Sequence, residues 1–108
     1  MKTETPIIFR KWKDNAEVIA IFPTILGTMD AYTCQMYEHV GQHGAGDPIG
    51  VIGKTSPAKP REYSALLKEL HQRGYRGLKI YDRYQHKWTN DRIQELRRIN
   101  TKAGKMKK

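Results

Sequence analysis

The residues best suited to chemistry in this chain are Cys34, His39 and His43, because thiolate and imidazole groups are common ligands of zinc. Their spacing, C-x4-H-x3-H, superficially resembles a metal-binding motif. On a β-strand, however, residues five apart point to opposite faces, so Cys34 and His39 cannot share an ion. His39 and His43 would lie roughly 13 Å apart on an extended chain, unless a turn at Gly41 brings them together. We therefore predict no metal site and a buried, reduced Cys34, and we leave His39 and His43 as an unexplained part of a loop.

A glycine-rich segment, GQHGAG at residues 41–46, is the next candidate for ligand binding. It lacks the G-x-G-x-x-G spacing with which a strand-to-helix turn holds a pyrophosphate. Pro48, Gly50 and Gly53 argue against a helix directly behind it, so we expect no helix N-terminus there to hold a phosphate. We interpret the segment as a turn that uses positive φ angles.

No group of residues in the sequence has the pattern of a catalytic site. There are two serines: Ser56 precedes a proline, and Ser64 lies in a predicted amphipathic helix. The acidic residues show no signature pairing for acid–base chemistry. We therefore expect no enzymatic activity and no cofactor.

The net charge of +9 is the strongest indication of function, because it favours a polyanionic partner, either nucleic acid or an acidic protein surface. The charge is uneven: residues 85–108 hold eight Lys or Arg and two acidic residues. A basic segment gains affinity for nucleic acid by releasing counterions. The cations predicted to contact phosphate are Arg97, Arg98, Lys102, Lys105, Lys107 and Lys108.

Aromatic and cationic residues alternate with apolar ones in the predicted strands, and their placement defines a second candidate surface. Strand alternation puts Tyr37, Lys79, Tyr81 and Arg83 on the sheet face away from the first helix. An open face of this kind binds single-stranded nucleic acid by stacking bases and contacting phosphates. Alternatively, the second helix covers this face and makes the same aromatics part of a second core. The sequence leaves both possibilities open.

Four strands and two helices are expected to position these residues, in the order β-β-β-α-β-α. This pattern predicts an α+β fold, with a small, mainly antiparallel sheet and a helix packed on one face. Asp14-Asn15 suits a type I′ hairpin turn. The predicted strands are residues 7–13, 17–22, 31–40 and 75–83, and the predicted helices are residues 60–73 and 91–100, with loop between residues 41 and 60.

The first helix carries an apolar stripe that should define the core. Leu66, Leu67 and Leu70 recur at helical spacing, so they should share one buried face. We expect them to pack against the sheet residues Phe9, Ile21 and Ile80.

Two stretches, FRKWKDNAEVIAIFP at residues 9–23 and YEHVGQHG at residues 37–44, resemble a family of small uncharacterised proteins from Bacteroides-type bacteria and their mobile elements. Residues 60–75 fit the helix-then-strand ending of that family. The chain departs from the family at Asn15-Ala16, where relatives usually have a single glycine, and in its longer basic C-terminus. The resemblance implies a bacterial cytoplasmic protein, and it brings no known activity from which functional residues can be transferred.

Length and composition predict one domain, residues 1–100, followed by a flexible basic tail, residues 101–108. The single cysteine precludes an intramolecular disulfide and favours a cytoplasmic setting. The longest apolar run, residues 18–22, is too short to span a bilayer, so we expect no membrane partner. Two functions are favoured over an enzyme or a ligand-binding protein. The first is a weak, sequence-independent nucleic-acid-binding module, with single strands as the expected ligand, and the second is a protein-interaction module of a mobile element that acts on a host protein.

Overall fold

A computed structural model describes residues 4–38 and 42–106 of the chain. These residues form one sheet with helices on both faces, which confirms the predicted α+β class. The elements, in chain order, are β1 (Thr5–Trp12), β2 (Val18–Leu26), β3 (Cys34–Glu38), β4 (Gln42–Gly46), α1 (Pro48–Gly53), β5 (Thr55–Pro57), α2 (Pro60–Gln72), β6 (Leu78–Tyr81) and α3 (His86–Met106).

The sheet has six strands among the described residues, two more than predicted. β4, β3, β2 and β1 pair antiparallel in that order, and two strands share the other edge of β1. β5 pairs antiparallel with residues 10–12 of β1, whereas β6 pairs parallel with residues 5–8. The extra strands, β4 and β5, come from the glycine- and proline-rich segment that the sequence assigned to loop. They are short and depend on pairing with β3 and β1 rather than on local propensity.

The β1–β2 hairpin turn differs from the predicted two-residue type I′ turn at Asp14-Asn15. The amide of Trp12 donates to the carbonyl of Glu17 at 2.8 Å, so the loop comprises residues 13–16. Ala16, rather than Asp14 or Asn15, closes this loop in the left-handed region at φ +61°. The side chain of Asn15 instead accepts a hydrogen bond from the Glu17 amide at 2.9 Å.

α2 packs on one face of the sheet and forms the first core, as predicted. Leu66 and Leu70 are buried, and Leu67 is half-buried beside them. The predicted contact with Phe9 is confirmed, but those with Ile21 and Ile80 are wrong. Ile21 belongs to the opposite face, and Ile80 is 37% exposed because β6 forms the outer edge of the sheet. The buried residues of this core are Ile7, Phe9, Ala20, Phe22, Tyr37, Leu66 and Leu70.

α3 covers the opposite face and forms the second core around Trp88. It packs mainly against β2 and closes the sheet face that the sequence left open. The helix is also longer than predicted, because the proposed boundary between residues 100 and 101 lies inside it. The flexibility of residues 101–108 stays a prediction. The buried residues of this core are Ile8, Ile19, Ile21, Cys34, Met36 and Trp88. No helix in the described part of the chain has the length and hydrophobicity needed to cross a membrane.

Candidate nucleic-acid interface

Tyr37, the first member of the predicted stacking surface, lies inside the α2-side core. Its side chain is fully buried, and its hydroxyl donates a hydrogen bond to the carboxylate of Glu69 on α2. The guanidinium carbon of Arg73 lies 5.7 Å from the centre of the Tyr37 ring. Residues three apart on a strand point to opposite faces, and Tyr37 and Cys34 do so: α2 covers the Tyr37 side, and α3 covers the Cys34 side. Tyr37 is therefore not available to stack on a base, and the prediction that it binds nucleic acid is wrong.

The remaining three members of that surface lie at the β6 edge. Tyr81 is half-buried and packs edge-to-face against Trp88, with ring centres 5.0 Å apart. The ammonium of Lys79 lies 5.5 Å from the centre of the Tyr81 ring and 4.0 Å from the carboxylate of Glu4. Lys79 and Arg83 are exposed, so these two cations can reach a ligand. Tyr81 exposes only part of its ring to a ligand.

The predicted cations of α3 lie on its solvent-facing side as far as the structure describes them. Arg97 and Arg98 are exposed, and Arg98 donates hydrogen bonds to the carboxylate of Glu95. This pairing raises the pKa of the Arg98 guanidinium. Lys102 and Lys105 belong to the helical backbone of α3, and their side chains lie outside the description. Lys107 and Lys108 lie outside the described residues.

A group of cations along β6 was only partly recognised in the sequence. Residues 71–87 contain five Lys or Arg and a single acidic residue, Asp82. All five cations are exposed, and they occupy β6, its two flanking connections and the first turn of α3. Counting charges over residues 71–87 reveals the group. Counting over residues 85–108 misses it, because only Lys87 of the five falls in that range. We call it the β6 cation group: Arg73, Arg76, Lys79, Arg83 and Lys87.

Two other arginines are structural and do not belong to this interface. Arg10 donates to the hydroxyl of Thr55 at 2.9 Å, to its carbonyl at 2.8 Å and to the carbonyl of Ile52 at 3.1 Å. Burial lowers the pKa of the Arg10 guanidinium. Arg92 is 1% exposed and donates to backbone carbonyls of the β2–β3 region. Both arginines therefore fasten elements together and add little to the outer surface.

Cys34 is buried, as predicted, on the α3 side of the sheet. Burial raises the pKa of its thiol to about 12, so the thiolate that binds metals is strongly disfavoured. Within the part of the chain that the structure describes, no three His, Cys, Asp or Glu side chains could hold a metal ion. His39 lies outside the described residues, and His43 pairs through its backbone with Tyr37 across the β3–β4 hairpin.

Residues 42–46 of the glycine-rich segment form β4, not the expected turn with positive φ angles, and α1 follows directly, contrary to the prediction that no helix begins there. Asp47 caps α1 by accepting a hydrogen bond from the Ile49 amide at 3.0 Å. This cap satisfies one of the backbone amides that are free at the start of a helix. The expectation that no helix follows the segment is therefore wrong, and the expectation that it holds no phosphate stays a prediction.

Comparisons with known proteins identify no relative of this chain: no family model matches, and no curated protein or solved structure is detectably similar. The resemblance to small proteins of Bacteroides-type bacteria and their mobile elements stays a prediction.

Proposed function

We propose that this protein binds nucleic acid weakly and without sequence preference, through contacts between exposed Lys or Arg side chains and phosphates. The observation that carries the proposal is the amphipathic character of α3, which has a buried apolar stripe and exposed cations. This helix buries Trp88 against the sheet and exposes Lys87, Arg97 and Arg98 outside the buried stripe. A cationic helix face on a rigid core is a suitable electrostatic contact for phosphates.

The β6 cation group extends this charged surface. Arg76 donates to the carbonyl oxygens of His71 and Tyr75, both at 3.0 Å, so its guanidinium is held close to the protein surface. Lys87 belongs to both the group and the first turn of α3. The charge of the C-terminal quarter is therefore continued by residues that the fold places before α3. A bacterial cytoplasm, as the resemblance implies, would expose this surface to nucleic acid.

The alternative function, a protein-interaction module of a mobile element that acts on a host protein, is favoured by a different surface. Met29 and Tyr32, in the connection between β2 and β3, are 66% and 63% exposed. Met and Tyr are enriched in protein interfaces relative to the rest of the protein surface. If this function holds, M29S/Y32S should abolish capture of one specific protein from nuclease-treated lysate, while R97A/R98A should not.

Fluorescence anisotropy with labelled DNA tests the proposal. R97A/R98A removes two phosphate contacts, so the slope of log K against log salt for duplex DNA should become less negative by about 1.8. K13A/R61A is the matched control, because it removes two exposed positive charges from the β1–β2 turn and the start of α2. It should leave the slope within about 0.5 of the native value. Equal effects of both variants would mean that only net charge matters, and no binding at 20 mM salt would refute the proposal.

A further inference from the structure

We infer that the preferred ligand is double-stranded nucleic acid, held through the phosphates of both strands, and not the single strand that the sequence predicts. This inference rests on the proposed function and specifies its ligand. Its first basis is the fate of the aromatic residues. All ten Phe, Trp and Tyr residues of the chain lie in the described ranges 4–38 and 42–106, and Tyr32 is the sole exposed one.

The other rings are engaged with the protein itself. Tyr63 stacks on Phe9 with ring centres 4.3 Å apart, and Tyr75 stacks on Phe22 at 5.2 Å. Trp12 donates from its indole nitrogen to the carboxylate of Glu38 at 2.8 Å. These contacts hold α2, its C-terminal connection and the sheet together, so exposing the rings to bases would cost packing energy.

The aromatic residues at the charged edge are occupied as well. Tyr81 and Tyr84 both pack edge-to-face on Trp88, with ring centres 5.0 and 5.4 Å from it. The ammonium of Lys79 lies over the Tyr81 ring, and the guanidinium of Arg92 lies 5.9 Å from the centre of the Tyr84 ring. Proteins that bind single strands without sequence preference stack successive bases on open rings. The β6 edge offers cations but no such row of rings.

The spacing of the exposed cations on α3 suits a duplex. Lys87 and Arg98 are eleven residues apart, which is about three turns, so they lie on nearly the same side of the helix and roughly 16 Å apart. The major groove of B-DNA is about 12 Å wide and is bordered by a phosphate backbone on each side. Flexible Lys and Arg side chains at this separation can contact both borders of the groove at once. A single strand presents only one such border.

Charge density supports the same choice. A duplex carries about one phosphate charge per 1.7 Å of axis, about twice the density of one of its strands. A ligand that is bound through phosphates alone is attracted in proportion to that density. Base stacking is the usual compensation that allows a single strand to compete, and one isolated exposed ring, Tyr32, does not give successive bases a row to stack on.

The test uses a 20-base-pair duplex, which is about two helical turns long. Its binding is compared with that of each separated strand at 50 and 200 mM NaCl. We expect the duplex to bind at least about threefold more tightly at 50 mM salt, with a steeper salt slope, because each contact contributes about 0.9 for a duplex and about 0.7 for a single strand. K87A/R98A should reduce this duplex preference to below about twofold, whereas K13A/R61A should preserve it. Tyr32→Ala and Tyr81→Ala should leave single-strand binding within about twofold, since neither ring carries a stacking contact.

Equal or tighter binding of the single strand would overturn the inference and leave the proposed function standing. A fivefold or greater loss, roughly 1 kcal/mol, of single-strand affinity in the Tyr32→Ala variant would also overturn it, because an exposed ring can be removed without disturbing the core. Absence of binding to either ligand at 20 mM salt would instead refute the proposed function itself.

Discussion

The guanidinium of Arg92 in α3 donates a hydrogen bond to the carbonyl oxygen of Pro23 in β2, where the pairing of β2 with β3 is interrupted. Phe22 pairs with Gln35, but the next pair is Leu26 with Cys34, so three residues of β2 leave the ladder. The Nε atom of Arg92 also donates to the carbonyl of Ala31 at 2.8 Å. One buried side chain therefore satisfies two backbone acceptors at a break in the sheet and fixes α3 to it.

Replacing Arg92 by Met should destabilise the fold by roughly 2–4 kcal/mol, because the carbonyl oxygens of Pro23 and Ala31 lose their donor while still buried. Urea denaturation followed by circular dichroism measures the change. Arg97→Met is the matched control, since Arg97 is exposed on the same helix, and it should change stability by less than about 0.5 kcal/mol. A similar, small effect of both substitutions would show that the Arg92 hydrogen bonds do not stabilise the sheet.

Replacing Ala16 by Gly should stabilise the protein by roughly 0.5–1 kcal/mol. The backbone of Ala16 has φ +61°, a conformation that its Cβ disfavours and that glycine adopts readily. Glu17→Gly, one residue further and outside the left-handed region, should lower stability because it only adds freedom to the unfolded chain. Thermal denaturation of the two variants beside the native protein distinguishes them. A lower melting temperature for Ala16→Gly would contradict the assigned turn.

Cys34 should react slowly with thiol reagents in the native protein and quickly after denaturation, because its side chain is buried and its pKa is raised to about 12. The raised pKa also implies a loss of stability at alkaline pH. An unfolded thiol ionises near pH 8.5, whereas the folded one stays protonated, so the stabilisation is complete below about pH 8.5 and is lost as pH rises towards 12.

The alkaline effect can be isolated by comparison with Cys34→Ala. Between pH 8 and 10.5 the native protein should lose roughly 2–3 kcal/mol more stability than this variant. Other groups titrate equally in both proteins, so their effect cancels in the comparison. Parallel stability curves over this range would show that Cys34 is hydrated in the folded state. Rapid native-state labelling would lead to the same conclusion independently.

Leu70→Ala should cost roughly 2–5 kcal/mol, because the Leu70 side chain of α2 is fully buried against the sheet. Leu67→Ala should cost less, about 1–2 kcal/mol, since Leu67 is half-buried at the margin of the same core. Chemical denaturation of both variants gives the two values. A larger loss at Leu67 than at Leu70 would reverse the orientation that the structure gives to α2.

The sequence predicted α2 and the main strands because their patterns are local: three leucines at helical spacing and strand residues that alternate. It did not predict which helix covers which sheet face, since alternation separates Tyr37 from Cys34 without saying what lies above either. This single ambiguity moved Tyr37 from a binding surface into the α2-side core. Arg92 was missed for a related reason. A lone arginine on an amphipathic helix is normally exposed. The carbonyl groups that accept the hydrogen bonds of buried Arg92 belong to Ala31 and Pro23, which precede it by 61 and 69 residues.

The C-terminal end of α3 should contribute to nucleic-acid binding through its charge. K102A/K105A removes two positive charges and leaves the length of the chain unchanged, so the salt slope for duplex DNA should become less negative by up to about 1.8. Removal of residues 101–108 deletes four lysines and should flatten the slope further, by up to about 3.6. K54A/K59A is the matched control for the double substitution, because both lysines are exposed and lie outside α3 and the β6 cation group. An unchanged slope in both C-terminal variants would confine phosphate contact to residues before 101 and would leave the basic end of the chain with a role in solubility alone.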